Sequence, residues 1–304
     1  MRYQVHHETE YQYDSVVTLS QQMLHMTPRN SETQYCEQHT LSVSPTPTER
    51  VQHMDYFKNY SDYVAVFTPH DVLKVTSSFT ISLQRRPQLS ELQQSLAWDE
   101  VAYRLANEHG VHLEAVTYLY TSPNIQCSQS LLDYALPSFW AGRPFIEAIF
   151  DLNQRIFNEF EFDAEATDVS TPLEQVLAGR RGVCQDFAHL MIGCLRSLGL
   201  AARYVSGYIL TTPPEGGERM IGADASHAWV SIYSLKYGWI DFDPTNNCLV
   251  QNEHITVAWG RDFSDVSPMR GVVLGGGKQR LNVRVTVTPV PLISPAPIVN
   301  QFSV

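Results

Sequence analysis

Apolar residues occupy every second position in two stretches of the first 85 residues, and this alternation is the feature that most constrains the fold. A period of two is typical of β-strands that bury one face. Pro28, Pro45 and Pro47 lie between the two stretches and predict turns. We therefore predict that residues 1–88 form a β-rich N-terminal domain, either a small antiparallel sheet or a sandwich. The alternating positions are Tyr3, Val5, His7, Thr9, Tyr11 and Tyr13, then Leu73, Val75, Ser77, Phe79, Ile81 and Leu83.

The middle of the chain changes to a helical period. Apolar residues from Phe145 to Phe160 recur at steps of three or four, which predicts one face of a helix that begins after Pro144. The polar, glutamine-rich stretch between the two patterns favours a linker, and we predict a helical linker region over residues 89–140. Residues 141–304 are predicted to form a second domain with helices, a β region and a C-terminal strand. The predicted fold class is α+β.

The charge and cysteine content disfavour several classes of function. With 32 acidic against 21 basic residues the net charge is −11, and no basic surface for nucleic acid is apparent. No apolar run reaches the roughly 18 residues of a membrane span, and the first residues lack the apolar stretch of a signal peptide. Five cysteines without a CxxC motif make a disulfide scaffold or a zinc ribbon improbable. We expect a cytoplasmic protein with no membrane or nucleic-acid partner, and the sequence leaves its oligomeric state open.

Cys184 stands at the start of a well-formed amphipathic helix, which Gly182 and Gly199 bracket. The first turn of a helix has unpaired backbone N–H groups and the positive end of the dipole, and both favour a thiolate. The same N–H groups could receive an oxyanion. Cys194 lies ten residues later on the apolar face, so we interpret it as a core residue. The apolar face comprises Phe187, Leu190, Met191, Cys194, Leu195 and Leu198.

A nucleophilic thiol needs a base and a group that orients the base. His227 lies on an alternating segment, and a short turn joins that segment to a second one that carries Asp241 and Asp243. Two such segments predict a β-hairpin. If Tyr233 pairs with Tyr237, His227 faces Asp243, whereas a slip of two residues toward the N-terminus would put Asp241 opposite it. The wide turn favours Asp243, so the candidate triad is Cys184, His227 and Asp243.

Other readings of these residues are weaker. The three triad residues could also bind a metal ion, but no fourth ligand lies at a usual spacing from them, so no metal and no cofactor are predicted.

The sequence also offers candidate substrate contacts, which are Asp224, Tyr208, Trp229 and Gln185, with packing as the alternative for each. The glycine- and proline-containing segment 211–224 is a candidate flap over the cleft.

These motifs resemble the transglutaminase-like superfamily. The matching blocks are GVCQDFAH, ARYVSGY, DASHAWV and WIDFDPT, which contain the three candidate triad residues in the family's order. The whole chain is similar to bacterial transglutaminase-like proteins with a β-rich N-terminal domain, including the segments LHMTPR and GRDFSDVSPMRGVVLGGG. The resemblance implies a papain-like core, in which the nucleophile helix packs on an antiparallel sheet. It also implies that Cys184 is the nucleophile, His227 the general base and acid, and Asp243 its orienting group.

This sequence differs from those of animal transglutaminases in two respects. Those enzymes use an upstream Trp as second oxyanion donor, and no upstream Trp here matches it. Their calcium-binding features are not visible either, so calcium activation is not predicted. The implied chemistry is acyl transfer through a thioester, with a peptide or protein as substrate. Resolution by water makes a cysteine protease or amidase, which we favour; resolution by an amine makes a cross-linking enzyme; and a non-catalytic binding module is the third possibility.

Overall fold

A strand of 23 residues, β1 (Arg2–Leu24), is the centre of the first sheet. The structure, a computed structural model, describes residues 1–108, 110–211 and 225–291. Because β1 alternates between buried and exposed residues, one of its faces lies against the core, as the period of two predicts. Its neighbours are antiparallel, in the order β2-β5-β1-β4-β3. These strands are β2 (Gln34–Ser44), β3 (Glu49–Met54), β4 (Tyr60–Val66) and β5 (His70–Leu83).

Helices fill the centre of the chain. A short 3-10 turn at Leu89–Glu91 precedes them, and a second one lies at Leu136–Ser138. A two-stranded parallel pair, β6 with β7, ends directly before the last helix of the series, α6. None of the helices in the described ranges is long and apolar enough to cross a membrane. The elements are α1 (Trp98–Asn107), α2 (Leu113–Val116), α3 (Gln129–Ala135), α4 (Phe145–Glu159), β6 (Glu161–Phe162), α5 (Leu173–Gly179), β7 (Arg181–Gly182) and α6 (Cys184–Ser197).

The second sheet is antiparallel, in the order β11-β10-β9-β8-β12. Helix α6 packs against β8 and β9, and every residue from Asp186 to Arg196 is buried. Ala228, Val230 and Ile232 of β9 belong to the same buried cluster as the apolar side of α6. The described part of the chain therefore has the predicted α+β fold, with a helix packed on an antiparallel sheet. The strands of the second sheet are β8 (Ala202–Ile209), β9 (Ala225–Ser234), β10 (Gly238–Asp243), β11 (Cys248–Leu249) and β12 (His254–Gly260), and the short helix α7 (Phe263–Val266) follows them.

The last two strands, β13 (Met269–Gly275) and β14 (Gln279–Pro289), return to the first sheet. They pair with β1, β13 along Val17–Leu24 and β14 along Tyr3–Tyr13. The C-terminal strand is predicted as part of the second domain, whereas its pairing puts it beside the N-terminal strands. The reason is that β1 has two edges, of which β5 covers only one over this stretch. The proposed domain boundaries at residues 88 and 140 stay predictions.

Candidate active site

Cys184 is the first residue of α6, and its side chain is half-buried. The residue before it, Val183, has an extended backbone, so the helix begins at Cys184 itself. The Asp186 carboxylate accepts hydrogen bonds from the Val183 N–H at 2.8 Å and from the Thr167 hydroxyl at 2.6 Å. These bonds close the helix start. The backbone N–H groups of Cys184 and Gln185 have no acceptor inside the helix, and an oxyanion beside the thiol can use them.

Gly182 allows this close approach of the strand to the helix. A Cβ atom at this position would lie 2.6 Å from the Asp186 Oδ2 atom and 2.9 Å from its Cβ. Any side chain would therefore push the helix start away from β7. In the sequence Gly182 indicates only a helix boundary, whereas in the structure its missing side chain makes room for the capping carboxylate.

The hairpin of β9 and β10 carries His227 and the acidic residues. Its register pairs Ser234 with Gly238 and Tyr233 with Trp239. Tyr233 thus pairs two residues beyond Tyr237, within the range of registers that the wide turn favoured. Two features explain the shift: Gly238 adopts a left-handed backbone with φ of 69°, and the Ser234 hydroxyl accepts the Tyr237 N–H at 3.3 Å.

Despite this register, His227 contacts Asp243. The distance between the His227 Nε2 and Asp243 Oδ2 atoms is 2.7 Å, and both side chains are buried. The carboxylate accepts further hydrogen bonds from the Thr245 N–H at 2.9 Å, the Asn246 side chain at 2.7 Å and the His254 Nε2 atom at 2.9 Å. Burial alone would raise the pKa of Asp243, but the hydrogen bonds and charges of His227 and His254 outweigh it and hold this pKa well below its usual range.

The site favours an imidazolium. Burial lowers the pKa of His227, but hydrogen bonds and charges from Asp243 and Cys184 outweigh burial and raise this pKa to about 10. Since Nε2 faces Asp243, the other ring nitrogen, Nδ1, is left for the thiol. Thiol, imidazole and carboxylate thus form a connected series. Asp241, the alternative carboxylate, accepts from Arg86 at 2.6 Å instead.

Comparison with known proteins decides the family. A family model described as "Bacterial transglutaminase-like N-terminal region" matches residues 3–82, and a second one, described as "Transglutaminase-like superfamily", matches residues 139–244. The protein Rv2569c of Mycobacterium tuberculosis is 40% identical to this chain over 95% of it and 93% of the relative. The chain belongs to the transglutaminase-like superfamily. The resemblance inferred from the sequence is thereby confirmed.

Two further similarities concern fold and a shared segment. The crystal structure of a candidate cysteine protease from Cytophaga hutchinsonii superposes with a TM-score of 0.75 at 22% identity, covering 96% of this chain and 91% of that chain. At that identity it shows that the two share a fold. A segment of 67 residues is 36% identical to the protein-glutamine gamma-glutamyltransferase of Pseudomonas aeruginosa, which is 22% of this chain and 10% of that protein.

His254 also contacts the candidate triad of this transglutaminase-like protein, and no pattern in the sequence predicts it. Its Nε2 atom donates to the carboxylate oxygen that His227 also contacts, and its ring meets the Trp229 ring edge-on at 5.2 Å. Residues His227 and Asp243 lie on one hairpin, but His254 belongs to β12, which reaches the site by pairing with β8. No local pattern marks that position. Asn246, three residues beyond Asp243, was missed as well.

The side chains of His227, Asp243 and His254 are the only group of candidate metal ligands among the described residues. One ligand atom from each of His227, Asp243 and His254 lies within 4.8 Å of the others. Their separations of 2.7 and 2.9 Å are those of N–H···O hydrogen bonds, which already explain the arrangement. A tetrahedral metal site would need a further ligand.

The predicted substrate contacts have different surroundings. Gln185 is half-buried beside Cys184 in the first turn of α6. Tyr208 is 3% exposed and bonds His7 between the two sheets, and Trp229 is 0% exposed. A substrate role for either aromatic residue stays a prediction, and its burial argues against it. Asp224 lies outside the described residues, as does nearly all of the candidate flap at 211–224.

Proposed function

We propose that this transglutaminase-like protein is a thiol-dependent acyl-transfer enzyme that cleaves peptide or amide bonds through Cys184, His227 and Asp243. The observation that carries the proposal is the buried imidazole between a carboxylate and a thiol at a helix start. Such an arrangement keeps a proton on His227 and a negative charge available on the sulfur.

The first half-reaction forms a thioester. The Cys184 thiolate attacks the amide carbonyl carbon, and the C=O π electrons move to oxygen, where backbone N–H groups at the start of α6 stabilise the charge. When the oxyanion collapses, the C–N bond breaks and the His227 imidazolium donates its proton to the leaving nitrogen. The free amine departs, and the acyl group stays on Cys184.

The second half-reaction regenerates the enzyme. Neutral His227 takes a proton from a water molecule as the water oxygen attacks the thioester carbon. The C–S bond then breaks, the carboxylic acid departs and the thiolate–imidazolium pair is restored. An amine in place of water would form a new amide instead, which is cross-linking. Cross-linking is tested as well, because a segment of 67 residues is similar to a protein-glutamine gamma-glutamyltransferase.

Alkylation of Cys184 as a function of pH tests the proposal. We expect iodoacetamide to modify Cys184 readily at about pH 6, where an ordinary thiol of pKa about 8.5 is almost fully protonated. Cys194 is an internal control, because it is buried and burial raises its pKa. Mass mapping distinguishes the two sites. His227→Ala should remove the reactivity of Cys184 at this pH; equal reactivity of the variant would contradict the pairing.

Asp243→Asn tests the carboxylate. The substitution removes the charge that raises the pKa of His227, so alkylation at about pH 6 should fall at least about ten-fold while the fold is kept. Asp151→Asn is the matched control, since Asp151 lies on α4 and forms an ion pair with Arg143 at 3.3 Å, apart from the triad. The control should leave the alkylation rate unchanged.

Product analysis then separates the two outcomes of acyl transfer. A peptide library digested with and without a fluorescent primary amine reports cleavage and amine incorporation in the same sample. We expect cleavage to dominate and Cys184→Ala to abolish it. Amine incorporation in large excess over cleavage would assign the cross-linking activity. If neither product forms although Cys184 is reactive, the binding-module interpretation gains support.

A further inference from the structure

A cavity of about 400 Å³ lies between the two sheets. One wall is the loop at residues 31–33 together with Arg86, which follows the first sheet, and the other wall is formed by strands of the second sheet. Its volume is in the range of sites that bind small organic molecules. Neither Cys184 nor His227 lines it, so the proposed acyl transfer gives it no role.

Arg203 is the central charged group of this cavity. It is 7% exposed, and its guanidinium carbon lies 3.9 Å from the centre of the Trp239 ring and 3.7 Å from that of Trp259. The guanidinium therefore packs against two indole rings, and its N–H groups remain available to donate hydrogen bonds. Among the described residues, its buried Nε atom has no hydrogen-bond partner. A buried N–H group without an acceptor costs free energy, which a bound acceptor would restore.

The buried charges near Arg203 favour an anion. Arg86, also 7% exposed, donates to Asp241 at 2.6 Å. Two buried guanidinium groups therefore lie near one half-buried carboxylate, and among these three groups one positive charge is in excess. Glu32 and Glu114 also line it, but both are exposed and belong to its rim. Their charges are screened by water more than the buried ones are.

We propose that this cavity binds a small organic carboxylate. The carboxylate group accepts hydrogen bonds from the edge of the Arg203 guanidinium and lies near Arg86, in the bidentate manner that planar guanidinium groups favour. The apolar part of the ligand lies against Ile240, Leu249 and Val250, which complete the wall. The ligand class is a monoanion with a flat or short apolar body, because 400 Å³ does not hold a folded peptide.

Calorimetric titration with benzoate tests the site, with benzamide as the uncharged probe of the same shape. We expect one benzoate per chain, saturable below about 10 mM, and benzamide binding at least ten-fold weaker because it lacks the negative charge. Hexanoate, which has no ring, serves as the third probe. Failure of both carboxylates to saturate, or equal binding of benzoate and benzamide, would overturn the proposal.

Two variants locate the bound carboxylate. Arg203→Gln and Arg86→Gln should each weaken benzoate binding at least ten-fold, since each removes a cation from the cavity. Arg85→Gln is the matched control: its side chain is 68% exposed and pairs with Glu91, outside the cavity. If Arg203→Gln does not fold, Arg86→Gln and the benzamide comparison still decide the outcome. Unchanged benzoate affinity in a folded Arg86→Gln protein would contradict the site.

Discussion

At the scale of single residues, the Asp243 carboxylate determines the geometry of the candidate site. One of its oxygens, Oδ2, accepts hydrogen bonds from His227, His254 and Asn246, and the other accepts from backbone N–H groups at Thr245 and Asn246. A carboxylate held by five donors cannot rotate freely, so the imidazole that bonds it is also held in one orientation. We infer that His254 acts through Asp243 and is a positioning residue.

Replacement of His254 tests this role. His254→Phe keeps an aromatic ring beside Trp229 but removes the donor to Asp243, so alkylation of Cys184 at about pH 6 should fall about ten-fold. His254→Gln keeps an N–H donor and should recover most of the rate. The measurement is the pH profile of alkylation, with unfolding curves to check that both variants fold. Identical profiles for His254→Phe and the unchanged protein would assign His254 a packing role alone.

At the scale of secondary structure elements, β8 is held between β9 and β12 with little free space. Gly207 of β8 is the closest point: a Cβ there would lie 2.0 Å from the Ile255 carbonyl oxygen and 2.6 Å from the Trp229 ring. The carbonyl belongs to the backbone of β12 and cannot rotate away. Because Trp229 in turn contacts both His227 and His254, the small size of residue 207 allows the sheet to support the site.

Gly207→Ala should destabilise the protein by about 3 kcal/mol, since the added methyl group must displace β12 or the Trp229 ring. Urea unfolding measures the change. Gly179→Ala is the control, because a Cβ at position 179 meets no atom within 4 Å, and it should change stability by less than about 1 kcal/mol. A Gly207→Ala protein as stable as the control would show that the sheet can open at this point without cost.

At the scale of the whole molecule, buried polar contacts connect the two sheets. The Gln34 side chain donates to the Thr256 carbonyl at 2.6 Å and accepts the Thr256 N–H at 3.0 Å. Nearby, His7 of β1 contacts the Tyr208 hydroxyl at 2.6 Å and the Thr9 hydroxyl at 3.1 Å. Burial lowers the pKa of His7 to about 4, with a smaller contribution from His6. His7 is therefore neutral in the folded protein at neutral pH.

This lowered pKa predicts a loss of stability in acid. A histidine with a pKa of 6.5 in the unfolded chain and about 4 in the folded one stabilises the fold fully above about pH 6.5. That contribution, roughly 3 kcal/mol, is lost as the pH falls from about 6.5 to about 4. Urea unfolding at several pH values should show the decrease, and His7→Gln, which does not titrate, should reduce it.

His6→Gln is the matched control for this experiment, because His6 is exposed on the opposite face of β1. It should keep the acid-dependent decrease. Part of the decrease should also persist in His7→Gln, since burial lowers the pKa of His189 to about 4 as well. If His7→Gln and the unchanged protein lose stability in parallel, the contact between the sheets is not sensitive to protonation.

The sequence by itself determined the features that depend on neighbours along the chain. The apolar period placed a helix start at Cys184, and alternation placed strands at both ends of the chain, because burial of one face selects the period within a single element. His227 and Asp243 could be associated from the sequence since one hairpin carries both. Even there the observed register differs by two residues from a Tyr233–Tyr237 pairing, because the three-residue turn begins at Leu235 and ends before the left-handed Gly238.

Tertiary structure alone decided which distant strands meet. The pairing of β13 and β14 with β1, the arrival of His254 beside Asp243 and the cavity around Arg203 all join segments far apart in the chain. Such contacts depend on strand order and on which sheet edge remains open, and many orders suit the same alternating pattern. Local periodicity therefore identifies each strand and its buried face, while competition for edges during assembly selects its partner.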